Sequence, residues 1–87
     1  MTDVVPIFLR VPRAEIGYVK FIFESYEGIA VVRTLDRHEA VLVVLAVPDF
    51  LADTQRVLDA LAGEVGCERI APPPGKPVDL LGPDREE

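Results

Sequence analysis

The side chains able to do chemistry are few in this 87-residue chain. One histidine, His38, and one cysteine, Cys67, are the sole residues of their types. His38 stands in the polar run Asp36-Arg37-His38-Glu39, and Cys67 follows Gly66 at the head of a short apolar run. A general base or an activated nucleophile needs a second group in hydrogen-bond reach to orient it. Neither residue has a visible helper, so His38 reads as a solvated loop residue and Cys67 as a small buried hydrophobe. No Ser-His-Asp or Cys-His set can be assembled, and no catalytic residue, metal ligand set or cofactor is expected.

Two other groupings bear on chemistry. Glu24 and Glu27 are three apart, hence neighbours on one side of a helix, and such a pair can hold a cation or a proton. They fall at the helix C-terminus, where the dipole disfavours negative charge. Arg13, Glu15 and Gly17 open the same helix, where unpaired N–H groups and the dipole favour a small anion. These three are the candidate ligand-binding residues, for a small anionic or amino-acid ligand.

The elements that must position these residues follow from periodicity. Residues 4–11 alternate, with Ile7, Leu9 and Val11 against Phe8 and Arg10, as a strand with one buried face does. Residues 13–26 change period, and Ile16, Val19, Ile22, Phe23 and Tyr26 gather on one side of a helix. Gly28 ends it. A strand over 29–35, the polar hairpin 36–39 and a wholly apolar strand over 40–47 follow, and an all-apolar strand suits a central place covered on both faces. Asp49 is read as the N-cap of a second helix, whose stripe is Phe50, Thr54, Val57, Leu58, Leu61 and Val65. Gly66 closes that helix, and 67–71 is a short fourth strand. Residues 1–71 thus form one domain, and the Pro-rich stretch 72–87 is an extended tail in which Val78, Leu80 and Leu81 can dock.

The order β-α-β-β-α-β predicts an α+β, ferredoxin-like architecture, a four-stranded antiparallel sheet with two helices on one face. The other face should carry Phe8 and Arg10 from the first strand with Val31 and Arg33 from the second. On helix one, Ala14, Tyr18, Phe21 and Ser25 share the side away from the core. Tyr18, Phe21, Val31 and Arg33 are therefore the candidate interface residues of a homo-oligomer, expected to be a dimer.

Composition narrows the classes further. The formal charge is −6, with 15 acidic residues against 9 Lys and Arg, which argues against nucleic acid as a partner. A single cysteine permits no internal disulfide, and together with an N-terminus unlike a signal peptide this predicts a cytoplasmic protein. The longest apolar run is far short of the ~20 residues that span a bilayer, so no membrane partner is expected. Iron–sulfur and soft-metal carriers need several Cys ligands. RNA recognition on such a sheet wants exposed aromatics amid basic residues, which the third strand lacks. An acylphosphatase-type reaction would resemble a loop after strand one with a phosphate-holding Arg and a water-orienting Asn elsewhere, and the chain contains no Asn.

The stretch Ile7-Phe8-Leu9-Arg10-Val11-Pro12, with Ile16-Gly17-Tyr18-Val19-Lys20-Phe21-Ile22-Phe23-Glu24-Ser25-Tyr26-Glu27-Gly28-Ile29-Ala30, resembles a small bacterial family of unknown function. The resemblance covers roughly residues 5–71 and implies a stand-alone protein with no assigned activity. More remotely, the element order is similar to the ACT domain, a regulatory module that pairs side by side and binds amino acids between subunits. An ACT domain opens its first helix with a Pro-Gly or Asp-x-x-Gly turn, whereas Pro12 and Gly17 stand five apart here. The leading expectation is a non-enzymatic, self-associating regulatory or small-ligand-binding module. Two alternatives stay open: a small enzyme or enzyme subunit using Glu24 or Glu27 as a base with Arg10 or Arg33, and a protein–protein adaptor.

Overall fold

The computed structural model describes residues 4–26 and 28–72. Six elements follow in order: β1 (Val5–Arg10), α1 (Ile16–Ser25), β2 (Ala30–Asp36), β3 (Val41–Ala46), α2 (Leu51–Val65) and β4 (Glu68–Ile70). The strands form one sheet in the order β2-β3-β1-β4, and each neighbouring pair is antiparallel. This is the ferredoxin-like α+β fold expected from the sequence.

Register explains which side chains go where. Phe8 pairs with Val43 and with Ile70, and Arg33 pairs with Val43 from the other side, so these four share the face away from the helices. Leu9, Leu42, Val44 and Val32 point the other way, into a core with Val19 and Phe23 of α1 and Val57, Leu58 and Leu61 of α2. β3 is buried at all six positions because both of its faces carry apolar neighbours. Its odd-numbered residues Val43 and Leu45 cluster with Phe8, flanked by Val4, Leu35 and Ile70. The all-apolar run thus has its physical reason in a central strand with two apolar layers.

Both helices begin later than the sequence predicts. Pro12 is followed by a 3-10 turn over Arg13–Glu15, in which the Glu15 N–H donates to Pro12 O at 2.8 Å and the Ile16 N–H to Arg13 O. Likewise Asp49 is not the N-cap of α2. Pro48–Phe50 forms a 3-10 turn, Phe50 takes the cap position without a side-chain cap bond, and Asp49 contributes only an acidic first turn. Proline at the first position of that turn pre-sets its φ and starts it before the expected cap.

Two residues of the expected core stripes lie outside the core. Tyr26 is 50% exposed and Phe50 43% exposed, because each stands at a helix boundary where the chain leaves the helical path. Thr54, a member of the expected α2 stripe, is fully buried, and its hydroxyl donates to Phe50 O at 3.0 Å and lies 3.4 Å from Ile29 O. That contact ties α2 to the start of β2. Gly66 ends α2 with φ 83°, a left-handed cap that a Cβ would strain. Gly28 also has φ 83°, but it lies in the turn beyond Tyr26, the residue that caps α1.

Among the described residues no helix is long and apolar enough to cross a membrane. Of the stretch 72–87, residues 73–87 lie outside the described residues, as does Glu27.

Candidate functional site

The β2–β3 hairpin and the first turns of α1 meet to form a cleft of about 350 Å³, lined by Arg13, Ile16, Gly17, Lys20 and Arg37. Arg13, Gly17 and Lys20 are spaced i, i+4 and i+7, which puts them on one side of the helical path. Arg37 arrives from the hairpin. The turn that carries it is fixed locally: the Glu39 N–H donates to Asp36 Oδ1 at 2.9 Å, and Ala40 takes φ 58° before β3 begins. A register irregularity between Thr34 and Asp36 lies at the hairpin end of β2.

Lys20 reaches from α1 toward the sheet, where its Nζ donates to the buried Thr34 Oγ1 at 3.4 Å. Lys20 and Arg37 both have further polar or charged partners, whereas the Arg13 side chain makes no ion pair or hydrogen bond among the described residues. Three of the chain's nine Lys and Arg residues therefore line one cleft, and no acidic residue is among the lining. The lining offers cations, one aliphatic side chain and a glycine, a set that holds negative charge rather than abstracting a proton.

Of the three candidate ligand residues, Arg13 and Gly17 stand on the cleft wall and Glu15 does not. The charge of Glu15 bears instead on Tyr18 and on Cys67, raising both. The free N–H groups anticipated there are also partly used, since those of Glu15 and Ile16 close the 3-10 turn. Sequence reasoning missed Ile16, Lys20 and Arg37 as lining residues. The i, i+4, i+7 spacing from Arg13 could have found Lys20; Arg37 comes to the cleft by tertiary placement alone.

Along the helix seam, the Tyr18 hydroxyl donates to Glu64 Oε1 at 3.1 Å. That bond, then burial and the charges of Glu64 and Glu15, raises the phenol above its ordinary value. Burial pushes the Cys67 thiol up as well, with the Glu15 charge adding to it and a backbone hydrogen bond opposing. Cys67 is a free, buried thiol. His38 is exposed in the hairpin turn, and among the described residues no group of three His, Cys, Asp or Glu could hold a metal ion.

The four candidate interface residues do not form one surface. Tyr18 and Phe21, the latter 62% exposed, belong to the helix layer. Val31, 52% exposed, and Arg33 lie on the opposite, helix-free face of the sheet. Arg33 Nε is buried there without a hydrogen-bond partner. The same separation applies to the acid–base pairing considered above: Glu24 is in α1, whereas Arg10 and Arg33 are across the sheet from it.

Fold and cleft together define a small ferredoxin-like domain with a cationic cleft between its first helix and its central hairpin. The chain belongs to the family described as a domain of unknown function, DUF4911, which matches residues 9–65, more than half of its length. No curated protein and no solved structure matches it.

Proposed function

We propose that this chain is a non-enzymatic regulatory module that binds a small anionic ligand in the cleft between α1 and the β2–β3 hairpin. The observation that carries this reading is the convergence of Arg13, Lys20 and Arg37 on one cleft in a chain of net charge −6. Cations gathered in a concave site focus the local field even when the net charge is negative. The lining has no carboxylate, imidazole, thiol or hydroxyl to act as base or nucleophile, which favours binding over catalysis. The test is a thermal-shift panel of amino acids, carboxylates and phosphate metabolites on wild type and Arg13→Glu. A shift with at least one compound that Arg13→Glu abolishes is expected; no shift anywhere in the panel would overturn the reading.

The module is further proposed to self-associate through the helix-free face of the sheet. Exposed Val31 and the unpaired, buried Arg33 Nε favour that face, since an unmet donor costs stability until something satisfies it. Tyr18 on the helix layer already has an intramolecular partner in Glu64. Light scattering after size exclusion should give a dimer that Val31→Asp converts to a folded monomer. A wild-type monomer at every concentration would refute this arrangement.

A further inference from the structure

We infer that the chain's own C-terminal segment, residues 73–87, lies in cis across the helix-free face of the sheet, with Val78, Leu80 and Leu81 over Phe8 and Val43. The register aligns Ile70, Phe8, Val43 and Arg33 in one row across all four strands on that face. Both helices pack against the other face, so neither covers this row. Side chains of one sheet layer stand side by side, and they shield one another's flanks rather than their tops. Yet on the two central strands Phe8 is only 7% exposed and Val43 1%. An antiparallel sheet whose second face meets water carries polar residues there. Pro6 and Arg10, which flank Phe8 on β1, are exposed, as is Val31 on the edge strand β2. The covered area about Phe8 and Val43 is therefore narrow, a width that one chain segment fills.

The chain after β4 has the position, reach and composition for this. β4 ends at Ile70, the residue that opens the row beside Phe8 and packs against its cluster. From β4 to β2 is three strand spacings, about 14 Å. The stretch from Ile70 to Val78 reaches up to about 26 Å when extended. Pro73, Pro74 and Pro77 have no backbone N–H, so this segment cannot lengthen the β4 ladder. Val78 and Leu80 fall on one side of an extended chain and Leu81 adjoins them, an apolar group that needs a surface to bury it. Charge agrees: the row ends on Arg33, whose Nε is buried and unpaired, and the segment carries Asp79, Asp84, Glu86 and Glu87 against Lys76 and Arg85. This docking goes beyond the self-association reading and leaves exposed Val31 to the second copy.

The experiment is NMR on the full chain, wild type and Leu80→Ser/Leu81→Ser, with isotope-filtered NOEs on an equal mixture of labelled and unlabelled protein. NOEs are expected within one chain, from the Leu80 and Leu81 methyls to the Phe8 ring and the Val43 methyls. The double change should abolish them, shift the amides of Phe8, Val43 and Ile70, and leave those of Val57 and Leu61 in α2 in place. It should also lower the melting temperature by about 4 °C or more, the scale of leucine burial lost from a domain of this size. Light scattering on the same samples reads self-association separately: a wild-type monomer that keeps the NOEs would refute the dimer and uphold the docking. NOEs that arise between chains in the mixture would overturn docking in cis and place the segment on a second copy. Absence of these NOEs from wild type would overturn the inference whatever the mass.

Discussion

Replacing Gly17 by alanine should raise the stability of the domain and weaken binding in the cleft. Gly17 is the second residue of α1, and its φ is not among the positive ones, so alanine can adopt its backbone without strain. A Cβ built there meets nothing within 4 Å. The exchange therefore removes unfolded-state freedom at no steric cost, worth about 0.5–1 kcal/mol in a helix. In a domain of this size 1 kcal/mol corresponds to about 4–8 °C, so the melting temperature should rise by roughly 2–8 °C. Gly63 in α2 has the same open surroundings and an ordinary backbone, and Gly63→Ala should give a similar rise. Gly66→Ala should do the opposite, costing ~1–2 kcal/mol, because its φ of 83° is left-handed. Thermal melts of the four proteins by circular dichroism read the signs directly, and phosphate titration then separates the two helix variants. Only Gly17→Ala puts a methyl group on the cleft wall, so only it should lose affinity. A Gly17→Ala protein less stable than wild type, beside a stabilised Gly63→Ala, would show that the space at Gly17 is filled in solution. Equal phosphate affinity in both variants would show that the ligand does not reach this wall.

The helix seam makes two more predictions. The Tyr18 phenol is raised from its ordinary value of 10.0, first by its hydrogen bond to Glu64 and then by burial and the charges of Glu64 and Glu15. A folded-state pKa above the unfolded one means that the stabilising contribution is complete below pH 10 and is lost as pH rises through the folded value. In a Tyr26→Phe background the phenolate absorbance belongs to Tyr18 alone; Glu64→Gln should move its midpoint down toward 10.0, and an unmoved midpoint would remove Glu64 as the cause. Cys67 is 6% exposed and its thiol is raised by burial, so a thiol reagent at neutral pH should label the native protein far more slowly than the urea-unfolded chain. Equal rates would mean that the end of α2 opens freely.

Much of the fold is legible in the sequence because each element carries its own period. Ile7 and Leu9 against Phe8 and Arg10 announce β1, and the register places Phe8 and Arg33 on the helix-free face where alternation put them. What local pattern cannot supply is the path of the chain at element ends. Tyr26 and Phe50 fit their helical stripes by spacing, yet each stands where the chain leaves the helix, and both are exposed. Asp49 has the composition of a cap, but Pro48 starts a 3-10 turn and moves the start of α2 past it. Alternation assigned Val31 and Arg33 to one face and helical spacing assigned Tyr18 and Phe21 to another. The assembled layers hold these pairs on opposite sides of the molecule, as two helices on one face of the sheet require, so they cannot serve one interface.

The cleft shows the same limit in sharper form. Arg13 and Gly17 draw attention in the sequence as a helix start, the setting in which backbone N–H groups hold anions. In the fold the 3-10 turn spends two of those groups, and the case for an anion passes to side chains: Lys20 two turns on from Arg13, and Arg37 from a hairpin seventeen residues beyond Lys20. Arg56 is paired with Asp53 at 2.8 Å and Arg69 with Asp59 at 3.6 Å, exposed pairs of small energetic consequence that nonetheless match positive charge with negative. An acidic chain that gathers Arg13, Lys20 and Arg37 at one cleft between α1 and the hairpin concentrates positive charge there, and this convergence, which no local pattern announces, carries the case for an anion.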